Sequence, residues 1–313
     1  GFHTGCSIKY LKRQEQNMEK PYLLHMITPE KNISPFDANM AFDAGWQSVV
    51  PYTNVTMEEI QALVQDTIFS RSPSTLKKTA IFIGGRDTHV AMDMLEETKK
   101  HMVPPFEVPV FADPSGAFTT AAGMVAKTEK ALKEKFDQDF KGLKIAILGG
   151  TGPVGVASAV ISSKAGNNVT LIGRSEEKTT KVVNICNDRY GSESVVPGVD
   201  ADKETILQDV DVVFNTGAAG IQLMDDNLVT AAKNLKICAD VNAVPPAGIA
   251  GVDAMDDVVE MKNTTSKIYS IGALAIGNVK YKSQHDCLKL MYTCDKPVYL
   301  HFEHAFEFAQ KDA

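Results

Sequence analysis

The chain has 313 residues, 44% of them hydrophobic, enough for two domains of ordinary size with separate cores. Its 32 basic and 39 acidic residues give a formal charge of −7, so it offers no general attraction for nucleic acid or an anionic membrane, and any anion binding falls to local basic groups. Five scattered cysteines without a CxxC pair argue against a disulfide framework or a zinc site and for a reducing cytoplasm, and no apolar run approaches the roughly 20 residues of a membrane-spanning helix.

Residues 1–19 open with a basic stretch that lacks an apolar period or the core of a signal peptide, and read as an extension of unassigned role. From Tyr22 onward short apolar runs alternate with helical patterns. Strands are predicted over 22–27, 48–52, 79–84 and 107–112, with helices over 35–44, 57–70, 88–102 and 117–136. Residues 20–137 thus read as a first α/β domain with a mostly parallel sheet. Within it, Ser34 and Pro35 suit the N-cap and first position of a helix whose dipole Asp37 complements. The segment 113–120, which includes Thr119 and Thr120, reads as a strand-to-helix turn rich in donors and acceptors. The charged stretch 125–136, followed by 137–142, reads as a polar, solvated connection that permits relative motion of domains.

A second series fills residues 138–280. Strands are predicted over 144–148, 168–172, 210–214 and 237–240, with helices over 153–165, 176–189 and 227–233. Residues 271–278 form a glycine-rich turn before a helix over 279–293, and 298–311 form a last helix. Residues 281–313 are expected to pack back across both domains. The predicted fold class is therefore α/β in two domains, an N-terminal α/β substrate domain joined to a Rossmann-like, doubly wound parallel-sheet nucleotide-binding domain.

Gly150-Thr151-Gly152-Pro153-Val154-Gly155 carries the most information, because it follows the apolar strand 144–148 and opens a helix. In that setting one glycine permits the tight turn, one lets backbone approach a pyrophosphate, and one allows close packing of helix on strand, while first-turn amides face the phosphate charge. Enzymes that use NAD usually place Asp or Glu at the end of the next strand; this chain has Gly173-Arg174-Ser175. Arg174 offers a planar fork and Ser175 a hydroxyl for the 2′-phosphate of NADP, with NAD left open because Glu176 and Glu177 oppose a phosphate nearby. Arg174 capping a surface turn is the plainer alternative. The loop containing Thr216, Gly217 and Ala218, and the loop opened by Asp240 and Asn242, follow strands at the sheet end where ligands bind, and either border the cofactor or only start the next segment. Lys280 is placed to bind phosphate, orient substrate or exchange a proton, or is an ordinary solvated lysine. The histidines show no metal spacing; His301 and His304 come nearest and are expected at the surface.

In the blocks 34–37, 82–86, 113–122, 149–155, 240–248 and 272–280, taken in order and spacing, the chain resembles the methylene-tetrahydromethanopterin dehydrogenases of methylotrophic bacteria and, more remotely, the bifunctional methylene-tetrahydrofolate dehydrogenases. The resemblance runs from about Tyr22 to the C-terminus. It implies oxidation of N5,N10-methylene-tetrahydromethanopterin to the methenyl cation with hydride passed to NADP or NAD, in one-carbon (formaldehyde) oxidation. It further implies Lys280 and Asp37 as catalytic residues, with Asp37, Thr119, Thr120 and Asn242 toward the pterin. A small-molecule pterin partner and a homo-oligomer, with a trimer as the candidate, also follow from it, with no metal, nucleic acid or membrane partner. The rival readings are a methylene-tetrahydrofolate dehydrogenase, a shikimate-type NADP dehydrogenase, and an NADP-binding regulator without turnover.

Overall fold

A computed structural model describes residues 19–313, so the expectation for residues 1–17 lies outside the described residues. The first domain runs β1 (Leu23–Ile27), α1 (Pro35–Asp43), β2 (Ser48–Tyr52), α2 (Ile60–Phe69), β3 (Thr79–Ile83), α3 (Thr88–Lys100), β4 (Val110–Ala112) and α4 (Ala117–Phe136). The second runs β5 (Lys144–Leu148), α5 (Pro153–Lys164), β6 (Asn168–Gly173), α6 (Glu176–Asp188), β7 (Val195–Val199), α7 (Lys203–Leu207), β8 (Val212–Asn215), α8 (Asp226–Ala231), β9 (Ile237–Asp240), β10 (Asp257–Glu260) and β11 (Tyr269–Ile271). Then α9 (Ala273–Thr293), β12 (Tyr299–Leu300) and α10 (Phe302–Asp312) close the chain.

Strand β3 is buried at all five positions, which explains why its sequence is a continuous apolar run rather than an alternation. It lies at the centre of a parallel sheet of order β12-β4-β3-β1-β2. The second sheet has order β10-β11-β9-β8-β5-β6-β7, parallel except for the antiparallel edge strand β10. From β7 to β11 this is the doubly wound order, whose switch point lies between β5 and β8. The predicted α/β architecture is thereby borne out.

Several expectations are corrected. The connection through 125–136 is not a solvated link: Val125, Ala126, Thr128, Ala131 and Leu132 of α4 are buried, because α4 packs against α5, α9 and α10. One apolar core runs from Ile81 and Phe118 through to Ile147, Leu171 and Phe214, continuous between the sheets. The last long helix begins at Ala273, not at 279, since Gly277 is accommodated inside α9, and a domain boundary at 280 cuts that helix. The final segment first returns as β12 to the sheet of the first domain before α10 forms. Strands β7, β10, β11 and β12 were not legible, being short or carrying Pro and Gly. Ser34 has N-cap geometry, yet its hydroxyl makes no capping hydrogen bond. His301 and His304 are half-buried rather than at the surface, where their ring nitrogens accept backbone N–H groups and cap α10. Among the described residues no helix is long and apolar enough to cross a membrane, and no group of side chains has the makings of a metal site.

Candidate active site

Parallel strands deliver their following loops to one edge of the sheet, and in the first domain those loops surround a cleft of about 530 Å³. Thr28 and Glu30 enter from the loop after β1, Arg86 from that after β3, Ser115 and Gly116 from that after β4, and Phe36 and Asp37 from the first turn of α1. The remaining wall is Lys280, which comes from α9. That helix starts where β11 of the second sheet ends, and at a rise of 1.5 Å per residue Lys280 stands roughly 10 Å from its start. One helix therefore ties the edge of the second sheet to the cleft of the first domain.

Lys280 is almost fully buried and its Nζ donates to Gln284 Oε1, one helical turn on. Gln284 in turn donates through Nε2 to Asp37 Oδ1 at 2.8 Å. The ammonium lies 4.2 Å from the centre of the Phe36 ring, a cation–π contact that also shields it from solvent. Gly116, in a left-handed conformation at φ 61°, leaves space for the lysine tip, since a Cβ there would stand 3.0 Å from Nζ. Below the lysine is Asp113, which is completely buried and accepts from Phe118 N at 3.0 Å, Thr119 N at 3.2 Å and Thr119 Oγ1 at 2.7 Å.

The electrostatics follow from putting two carboxyls and one ammonium in a dry site. Burial, and then the charge of Asp113, pushes Asp37 up to about 7, against its bond from Gln284 and the charge of Lys280. Burial likewise pushes Asp113 up, opposed by Lys280 and by the three hydrogen bonds it accepts from Thr119 and Phe118. Burial holds Lys280 below the ordinary lysine range, with Asp113 and Asp37 opposing. A carboxyl poised near neutrality beside a fixed lysine can gain or lose a proton as charge develops in the cleft.

The glycine turn is built differently. A Cβ on Gly155 would stand 2.4 Å from Gly150 O, so the helix can sit against the turn only if that position has no side chain. A Cβ on Gly152 would meet nothing within 4 Å, which leaves an open backbone cradle. Gly152 N-caps α5 without a side-chain hydrogen bond, and its first-turn amides, including Val154 and Gly155, have no partner within the helix. Thr151 and Pro153 are half-exposed beside them. Backbone of this kind fits a dinucleotide pyrophosphate. Arg174 is exposed just past β6, whereas the Ser175 hydroxyl accepts from Lys178 N and caps α6.

Other residues singled out by the sequence serve the scaffold. Thr216 Oγ1 donates to Leu148 O and Gly149 O, pinning the turn after β5, and Ala218 is exposed beside Gly217. Both Asp240 oxygens are engaged, by Asn215 Nδ2, Asn242 N and Ile249 N. Asn242 is buried and bonds Val244 N and Pro246 O, so it shapes the loop after β9. Thr119 is fully buried on Asp113, and Thr120 Oγ1 donates to Gly116 O, so neither lines the cleft. The sequence reading brings Asp37 and Lys280 together and misses Asp113, Gln284, Phe36 and Arg86. The spacing of Lys280 and Gln284, four apart on a helix, and an Asp closing a buried strand were the available signals.

Comparison with known proteins gives a family match and a fold match. The N-terminal family model of methylene-tetrahydromethanopterin dehydrogenase matches residues 35–115, which span Asp37 to Ser115 of the cleft. An NAD(P)-dependent methylenetetrahydromethanopterin dehydrogenase from Methylorubrum extorquens is 42% identical over 292 residues, 92% of this chain and 97% of that protein. A second protein of that organism, named bifunctional protein MdtA, is 32% identical over 279 residues, 88% of this chain and 94% of its own length. Among solved structures, a shikimate 5-dehydrogenase from Listeria monocytogenes shares the fold at a TM-score of 0.53 and 14% identity, over 93% of this chain and 99% of that one.

Proposed function

Since the chain belongs to the methylene-tetrahydromethanopterin dehydrogenase family, we propose that its first-domain cleft holds the one-carbon unit of a reduced pterin and that the protein is an NAD(P)-dependent oxidoreductase which converts it to the methenyl form. The observation that carries this reading is the meeting of Lys280 with Asp37 through Gln284, on a helix anchored at the end of the second sheet. A bound nicotinamide supplies the hydride acceptor. Gly150, Gly152 and Gly155, with the amides of α5, would hold its pyrophosphate, and the exposed Arg174 would bind the 2′-phosphate of NADP.

The residues of this chain then have a small set of tasks. Loss of hydride leaves a cation spread over two nitrogens of the pterin, so no base need remove a proton from carbon. Ionised Asp37 places a negative charge in a site with little water to screen it, and that charge favours the cation. Lys280 fixes Gln284 and through it Asp37, while Phe36 covers the ammonium and limits water that would hydrolyse the product. The rest of the rate comes from holding the methylene carbon at reacting distance, a positioning effect that reaches roughly 7 to 11 kcal/mol in favourable systems. We place this reaction in a cytoplasmic homo-oligomer.

The test is initial-rate measurement with methylene-tetrahydromethanopterin and methylene-tetrahydrofolate, each crossed with NADP and NAD. Growth of the methenyl absorbance band with the methanopterin carrier is the expected result. Nicotinamide binding with no growth of that band under any pairing overturns the reading in favour of a cofactor-binding regulator.

A further inference from the structure

Four charged side chains line the cleft: Lys280 and Asp37 are knitted together, and the carboxylate of Glu30, whose backbone amide donates to Thr28 Oγ1, forms no ion pair among the described residues. The fourth is Arg86. It is exposed at the cleft wall, and among the described residues no carboxylate forms an ion pair with it. Its neighbour Asp87 is already committed, accepting from His89 N at 2.8 Å and Val90 N at 2.9 Å as the N-cap of α3. The backbone that carries Arg86 is tied down, because Ser115 donates to Gly85 O through both its amide, at 2.8 Å, and its hydroxyl. An arginine on an anchored loop, facing a cleft and lacking an acidic partner, is a preformed oxyanion receptor.

We infer that Arg86 is a specificity-determining residue that binds a carboxylate or phosphate on the side chain of the pterin carrier. The source of that anion is the carrier rather than the dinucleotide, since every wall of this cleft except Lys280 belongs to the first domain and no residue of the glycine turn reaches it. Glu30 is the opposing charge on the same wall, so the anion has to lie on the Arg86 side. The inference rests on the pterin reading above and adds the group by which one carrier is distinguished from another. Arg86 acts on binding and touches no reacting atom, so its loss changes KM and leaves kcat close to normal.

The experiment compares wild type, Arg86→Ala and Arg86→Lys with two substrates: the full methylene carrier, and a methylene-pterin truncated after its arylamine, which keeps the reacting bridge and carries no acidic group. A hydrogen-bonded ion contributes about 1.5 to 3 kcal/mol, so Arg86→Ala is expected to raise KM for the full carrier by roughly tenfold to a hundredfold, with Arg86→Lys between the two. KM for the truncated carrier and for NADP stays unchanged. Equal losses with both carriers, or a loss confined to NADP, overturn the inference. Absence of turnover by the wild type with either carrier overturns the pterin reading itself; equilibrium binding of the full carrier to wild type and Arg86→Ala then still tests Arg86, because equal affinities reject it.

Discussion

The two halves of the proposed site are made of different material. The nucleotide half is backbone: glycines packed within van der Waals limits, unpaired amides, and side chains such as Thr216 and Asp240 that hold loops in place. The pterin half is side chains, with Asp37, Asp113 and the pair Lys280 and Gln284 arriving from three separate stretches of sequence to form one buried charged cluster. Backbone recognition needs a particular local conformation and so a contiguous motif. A charged cluster needs only convergence in space, which spacing along the chain does not record.

The widest gap between the halves should appear in glycine substitutions. Gly155→Val pushes a side chain into Gly150, and overpacking of this kind costs about 1 to 3 kcal/mol. The variant should melt at lower temperature and lose NADP affinity by about a hundredfold or more, as the amides of α5 are displaced. Gly152→Ala meets open space, so its melting temperature should match wild type while NADP affinity falls about tenfold. Calorimetry paired with cofactor titration separates the two, and normal NADP affinity in Gly152→Ala would remove the cradle from the site. In the other half, Lys280→Ala should lower kcat by at least about tenfold with KM for NADP unchanged, because Gln284 and Asp37 lose their anchor. Near-normal turnover would take Lys280 off the site.

This contrast also explains what was legible in the sequence. The helices over 35–43, 117–136 and 153–164, and the strands 48–52, 144–148 and 237–240, follow from apolar period and from Pro or Gly at their boundaries. The glycine turn was legible for the same local reason. Burial of α4 was not, because its lysines and glutamates occupy one exposed face while Ala and Thr fill the other, and small residues register weakly as apolar. Asp113 looked like a turn residue because its meaning lies in Lys280, which is distant in sequence. Thr119 and Thr120 were placed next to the pterin from family resemblance alone, whereas their hydroxyls face Asp113 and Gly116.

A smaller effect probes the outer rim of the nucleotide half. Arg174 is exposed and Ser175 is occupied as a helix cap, so the proposed reading gives the 2′-phosphate of NADP mainly to the arginine. Arg174→Ala should raise KM for NADP by about fivefold to tenfold and leave KM for NAD unchanged, whereas Ser175→Ala should cost about 1 kcal/mol of stability without altering the NADP-to-NAD ratio. A matching loss with NAD would assign Arg174 to the surface turn instead.

The finest distinction is one of pH, because only the side-chain half titrates near neutrality. Asp37 holds its proton up to about 7 in the folded protein, chiefly through burial and then through Asp113, against an ordinary value of 3.8. Between those two values the folded state keeps a proton that the unfolded chain has released, so the contribution of Asp37 to stability declines as pH rises from about 4 to 7 and is lost above that. Ionised Asp37 is also the form that favours the methenyl cation, so kcat/KM should fall a few-fold as pH drops through 7. Asp37→Asn should flatten that inflection and lower the plateau above it. The same variant should melt higher than wild type at pH 8 and alongside it near pH 4, a reversal of rank between stability and activity that the glycine turn, having no titratable group, has no means to produce. An unshifted inflection near pH 7 in Asp37→Asn would transfer that titration to another group and leave Asp37 with a purely structural tie to Gln284.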